Sequence, residues 1–318
     1  MKDFFKKTHF TNRIIWILLA WFLLYEVIDG LLIWPFGALL TNLVGTASAG
    51  LSFIIEYYTP LLISCVFFLL VCLVLKRNRF LLEGVKPKKD SMKMLGIGLL
   101  LGFLTNFFCI LCALLHGDIK LYFDFSASQI PLLLFAFISV FFQSTSEELW
   151  CRSFLYDRIN VHYPLWVAML INGSLFGLMH SLNPGVTPLA IADLILCGIS
   201  YSLLRWYTGS IWTCFGIHTM WNVTQNFIFG LPNSGLVSEM SVFHLDAATG
   251  ISNWIYSYEF GVEGAVPAVF VDLLLGVVII WCAWKQGRLG ELLESRESRG
   301  LAPVPATKET PVVEFSEE

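Results

Sequence analysis

Charge is what this chain has least of. Only 14% of its 318 residues are Asp, Glu, Lys or Arg, against about 25% in soluble domains, while 56% are hydrophobic and the mean hydropathy is +0.70. A soluble fold is excluded, because it has no way to cover so much apolar surface. Lys and Arg are missing altogether from Leu231 to Gly264. Cysteine is missing from that stretch too: Cys65, Cys72, Cys109, Cys112, Cys151, Cys197, Cys214 and Cys282 all fall in or beside apolar runs, so no disulfide framework is implied. The Cys109–Cys112 pair has CxxC spacing but sits in an apolar helix beside Phe107 and Phe108, where packing is the better reading than redox chemistry. No zincin-type HExxH and no internal repeat are present. The net charge of −4 combines basic and acidic residues that lie in different places, and no nucleic-acid partner is expected.

What the chain does have is apolar runs long enough to cross a hydrocarbon layer. About eight transmembrane helices are expected, giving an all-α polytopic bundle in a lipid bilayer. The runs are Ile14 to Trp34, Ser52 to Leu75, Met92 to Leu115, Ile130 through Tyr156, Leu165 to Met179, Leu189 to Trp206, Ile211 to Phe229 and Ala265 to Trp284. The first follows Lys2, Lys6, Lys7 and Arg13 as a signal peptide would. It is too long and lacks a small-residue cleavage site, so an uncleaved helix is expected. With a cytoplasmic N-terminus, the even loops hold Lys76, Arg77, Arg79, Lys86, Lys88, Lys89, Lys93, Arg152, Arg158 and Arg205, and the tail holds Lys285 and Arg288. The odd loops hold only Lys120. This one-sidedness predicts that both termini are cytoplasmic. Segments 1–129, 130–229 and 265–286 are then N-terminal helices, a polar-centred core and a last helix. An outer loop fills 230–264, and 287–318 is a charged, Pro-containing tail expected to be disordered.

The core segment breaks the apolar pattern. After Ile130 to Phe142 come Gln143, Ser144, Thr145, Ser146, Glu147 and Glu148, then Leu149, Trp150, Cys151 and Arg152. Ionisable groups at membrane depth face a bundle interior or a wet cavity. A helix turns about 100° per residue, so Glu147 and Glu148 point different ways, whereas Glu148 and Arg152 share a face in the favourable Glu-before-Arg order. Glu148 is therefore expected to pair with Arg152, leaving Glu147 for a cavity; the bland alternative is a solvated helix end. Asn172, Phe176 and His180 share one helix face, and His218 and Asn222 another. Taken singly these spacings are weak, since a chance FxxxH is expected roughly half a time in such a chain and a chance HxxxN roughly a fifth of a time.

In combination they are specific. Glu147-Glu148-Leu149-Trp150-Cys151-Arg152, Phe176-Gly177-Leu178-Met179-His180 and His218-Thr219-Met220-Trp221-Asn222, in this order on three apolar segments, resemble the type II CAAX prenyl endopeptidase family, also called the CAAX-protease and bacteriocin-processing family. The resemblance covers Ile130 to Phe229. It implies an intramembrane glutamate-type endopeptidase acting on peptide or protein substrates at the membrane, without a cofactor. Glu147 with His180 would activate water, His218 and Asn222 would hold the oxyanion, and Glu148 with Arg152 would form a structural ion pair. Since the family has bacterial members, a prokaryotic plasma membrane is the expected location.

Three alternatives stand beside this reading. Glu147, His180 and His218 have the chemistry of a two-His, one-carboxylate zinc site, which the absent HExxH and the resemblance both disfavour. Glu26, Asp29, Asp193 and Asp272 are further intramembrane acids of the kind a transporter uses. A catalytically idle immunity or scaffold protein would keep the same residues. One geometric tension is also legible: upright helices would leave Glu147 near the inner end of one span and His180 near the outer end of the next. Either the fourth span runs on to about Asp157, or helices tilt and break around a cavity.

Overall fold

In hydrocarbon every backbone N–H and C=O must be bonded within its own segment, so long apolar runs have little choice but to be helical. The computed structural model describes residues 10–44, 48–248 and 254–300. All eight apolar runs are helices there: α1 (Arg13–Val44), α2 (Ala49–Val74), α3 (Ser91–His116), α4 (Ala127–His162), α5 (Leu165–Met179), α6 (Pro188–Thr208), α7 (Ile211–Asn222) and α8 (Val266–Lys285). Six are long and apolar enough to cross a membrane; α5, with 15 residues, and α7 do not meet that description. α7 is buried almost throughout, and a π-helical stretch, Val223–Ile228, extends it. A polar helix of this kind survives at depth because its neighbours, not lipid, surround it.

The loops sort onto two opposite faces. On one, β1 (Ile119–Phe123) pairs antiparallel with β2 (Phe243–Ala248), and the Asn183 amide donates to the Ser234 carbonyl at 3.0 Å, joining the loops after α3, α5 and α7. On the other, Trp212 Nε1 donates to the Val85 carbonyl at 3.0 Å, and Arg205 pairs with Asp157 at 2.6 Å. Arg152, expected among the basic residues of the even loops, is instead fully buried inside the bundle, because α4 runs on past it.

The tail departs from the expectation of disorder over 287–300. Arg288 lies over the Trp206 and Tyr207 rings at 5.1 and 5.6 Å, while the Arg296 N–H donates to the Asn160 carbonyl at 2.9 Å. Aromatic faces and free helix-end carbonyls give a charged segment something to hold. Residues 301–318 lie outside the described part of the chain.

Close helix contact fixes α7. Gly98 and Gly102 on α3 present bare backbone to it, and a Cβ at either would overlap the Thr213 or Ile217 carbonyl. Small residues spaced by four permit this approach.

Two outcomes are expected. Gly102→Leu should lower stability by about 1–3 kcal/mol through overpacking, read by thermal unfolding in detergent. An impermeant thiol reagent on intact cells should label a cysteine placed at exposed Tyr258 and spare one at exposed Lys88; the opposite pattern would reverse the orientation.

Candidate active site

α4 resolves the tension between Glu147 and His180 by running on. It continues past the polar block through a π-helical stretch, Leu149–Leu155, to His162, and the chain turns at Tyr163 and Pro164 into α5. From that turn Glu147 is as many residues back as His180 is forward, so both stand roughly 20 Å above it on neighbouring helices. They line one cavity of about 150 Å³, together with His218, Asn222, Gln143 and Phe176.

The two glutamates part company as helical geometry requires. Glu148 is fully buried, and its Oε1 lies 3.1 Å from Arg152 Nη1, which is also fully buried. The same oxygen accepts a hydrogen bond from His218 Nδ1 at 2.9 Å. Glu148 therefore does more than balance Arg152; it holds the ring of a site histidine. The guanidinium has no aligned hydrogen-bond acceptor for its N–H groups and instead lies over Phe176, 4.0 Å from the ring centroid, and faces Tyr201 at 5.5 Å. Such contacts with aromatic faces gain strength away from water.

Glu147 faces the cavity. Its Oε1 accepts from the Gln143 amide one turn earlier, while Oε2 has no hydrogen-bond partner and lies 3.8 Å from His218 Nε2. His180 closes α5, with Nδ1 at 2.8 Å from the Phe176 carbonyl. A carbonyl only accepts, so Nδ1 carries the hydrogen and Nε2 of the neutral ring is left with its lone pair. Phe176 explains the Phe in FxxxH: its ring lies 5.0 Å from that of His180 and 6.0 Å, edge to face, from that of His218. Asn172, on the same face, is used elsewhere, donating to Ser202 Oγ at 2.7 Å to tie α5 to α6.

Asn222 Nδ2 donates to Gln143 Oε1 at 2.9 Å, and its Oδ1 accepts from Asn233 at 3.2 Å. Asn233 belongs to the outer loop, as does Glu263, whose carboxylate accepts from Trp221 Nε1 at 2.8 Å and from the Ser234 N–H and hydroxyl at 2.8 and 2.6 Å. Burial raises the Glu263 carboxyl above its usual range, against the lowering effect of the bonds from Ser234 and Trp221. Sequence reasoning missed Gln143 as a site residue, although it stands one turn before Glu147, and gave no signal for Asn233 or Glu263.

The other intramembrane acids divide. Asp193 and Asp272 line the same cavity, whereas Asp29 accepts from Ser64, whose oxygen in turn accepts from Trp150 Nε1 at 3.0 Å. Glu26 is exposed on α1. Among the described residues no group of three or more His, Cys, Asp or Glu side chains is arranged to hold a metal ion.

Removing Arg152 strands the Glu148 charge. Arg152→Ala is expected to cost about 3–5 kcal/mol in unfolding measurements, far more than a surface arginine would.

Residues 129–224 match the family described as type II CAAX prenyl endopeptidase Rce1-like, and this stretch contains all three motifs. The resemblance read from those motifs thus holds for the segment that carries Glu147, His180, His218 and Asn222. No curated protein matches the chain.

Proposed function

Taking the type II CAAX prenyl endopeptidase segment of an integral membrane protein as the premise, we propose that this chain is an intramembrane endopeptidase that cleaves membrane-associated or small peptide substrates with a water activated by Glu147. One observation carries the reading: a carboxylate with one tied and one free oxygen shares a buried cavity with two histidines, each anchored through Nδ1. The chemistry follows from which atoms are left over. Glu147 Oε2 and His180 Nε2 accept from water, and the carboxylate takes its proton as the oxygen attacks the scissile carbonyl carbon. His218, as an imidazolium donating Nδ1–H to Glu148, turns Nε2–H to the developing oxyanion. The second N–H of Asn222, the one not bound to Gln143, joins it. Collapse breaks the C–N bond, and the leaving nitrogen recovers the proton from Glu147.

The disfavoured zinc reading makes different demands on the same residues, and kinetics separate the two. With an internally quenched prenylated CAAX peptide as probe, Glu147→Gln should lose about 10³-fold in turnover while remaining folded. Asn222→Ala should lower kcat about 10²-fold and leave KM within about threefold, since an oxyanion donor acts in the transition state. Activity should survive exhaustive chelation. Full activity in Glu147→Gln, or activity lost to chelator and restored by zinc, would overturn the mechanism.

A further inference from the structure

The amides around Asn222 form a chain with a direction. Asn233 Nδ2 reaches both Glu263 Oε1, at 3.5 Å, and Asn222 Oδ1, at 3.2 Å. Asn222 Nδ2 donates to Gln143 Oε1 at 2.9 Å, and Gln143 Nε2 donates to Glu147. A primary amide is an acceptor on one side and a donor on the other, and sterically the two orientations are nearly alike. What chooses between them is the acceptor oxygen at each end of the chain, Glu263 accepting also from Trp221 and Ser234 and Glu147 from Gln143. A carboxylate only accepts, so Glu263 draws the NH2 of Asn233, and Asn233 presents a second N–H to the oxygen of Asn222. Flipping Asn222 alone would set N–H against N–H at Asn233 and oxygen against oxygen at Gln143.

The outer loop is built to deliver Asn233. Ser234 has φ +45° and Gly235 φ +87°, a two-residue reversal closed by reciprocal 2.8 Å backbone bonds between Asn233 and Leu236. A non-glycine residue in this region costs roughly 1–2 kcal/mol, so something must hold it there. Glu263 does, taking both the N–H and the hydroxyl of Ser234. Asn226 braces the turn, its amide donating to the Leu231 and Leu236 carbonyls at 3.1 and 2.9 Å.

We propose that Asn233 and Glu263, both beyond the family-matched segment, are positioning residues: the Glu263 carboxylate sets the Asn233 turn and amide, and Asn233 fixes the Asn222 amide with its N–H side toward Gln143 and the cavity. The outer loop is thereby part of the site and sets the polarity of its oxyanion donor. This rests on the oxyanion role proposed above, but the geometric part stands without it.

The test is a double-mutant cycle on the full-length protein in detergent, read in two ways. Asn233→Ala should lower kcat for the prenylated peptide probe about 10-fold, with KM within about threefold. The near-isosteric Asn233→Asp, which turns the donor into an acceptor, should cost about 10-fold more than Ala. In an Asn222→Ala background Asn233→Ala should cost nothing further in kcat. Thermal unfolding without substrate supplies the second readout: the Tm losses of Asn222→Ala and Asn233→Ala, about 3 °C each, should be strongly non-additive. Additive effects on kcat or Tm, or Asp milder than Ala, would overturn the positioning role and leave the loop a spacer. If the unaltered protein fails to cleave the probe, the proposed function falls for that substrate class, and the Tm cycle alone decides the inference.

Discussion

Arg152 carries a full charge into a part of the bundle from which water is excluded, and the way that charge is answered organises everything around it. Glu148 supplies the counter-charge 3.1 Å away, and one Glu148 oxygen serves both Arg152 and His218. The ring of Phe176 takes the face of the guanidinium and lies against both histidines. The three sequence motifs are thus one physical object. Removing any member leaves a buried polar group without its partner, and such a group costs more than the interaction itself ever contributed.

Helix length does the rest of the positioning. Were α4 to stop at the end of its apolar run, Glu147 would sit at a membrane surface and its carboxylate would be hydrated. Continuing to His162 places it inside, facing α5 and α7. The π-helical stretch follows Glu148 immediately and contains Arg152. On either winding the fourth residue on lies within roughly 40° of the first, so the Glu148–Arg152 pair tolerates the change. Wider turns of this kind often mark functional segments in helices, and here the stretch directly follows the paired carboxylates.

What could be read from the sequence follows the range of the interactions involved. The split between Glu147 and Glu148 is local, a consequence of the helical step, and needed no tertiary knowledge. So did the apolar runs, although length and hydropathy alone single out six helices as spans and leave α5 and α7 among their neighbours. The bond from His218 to Glu148 joins residues 70 positions apart, and those from Asn233 and Trp221 to Glu263 join positions 30 and 42 apart, with no periodicity to announce them. The outer loop reads as polar and irregular because its order comes from single side chains and from a strand paired with a distant segment. The stretch 287–300 reads as disordered for a similar reason: its partners, Trp206, Tyr207 and Asn160, are remote in sequence.

The parts of the chain outside the family-matched stretch are what make its charges effective. Tyr25 of α1 stacks on Trp150 at 5.5 Å, Ser64 of α2 accepts from the same indole, and Gly98 and Gly102 of α3 bring backbone against α7 directly behind His218. These contacts carry no chemistry, yet they determine the medium in which the chemistry operates. A hydrogen bond or ion pair in a dry, low-dielectric centre is worth several times its value in water, and an unanswered one costs correspondingly more. An enclosed site therefore needs its donors oriented in advance, because solvent there compensates poorly for a misdirected amide. The ring of outer-loop and helix residues from Glu263 through Asn233, Asn222 and Gln143 to Glu147 meets that need, with an acceptor fixed at each end and one orientation for every amide between them.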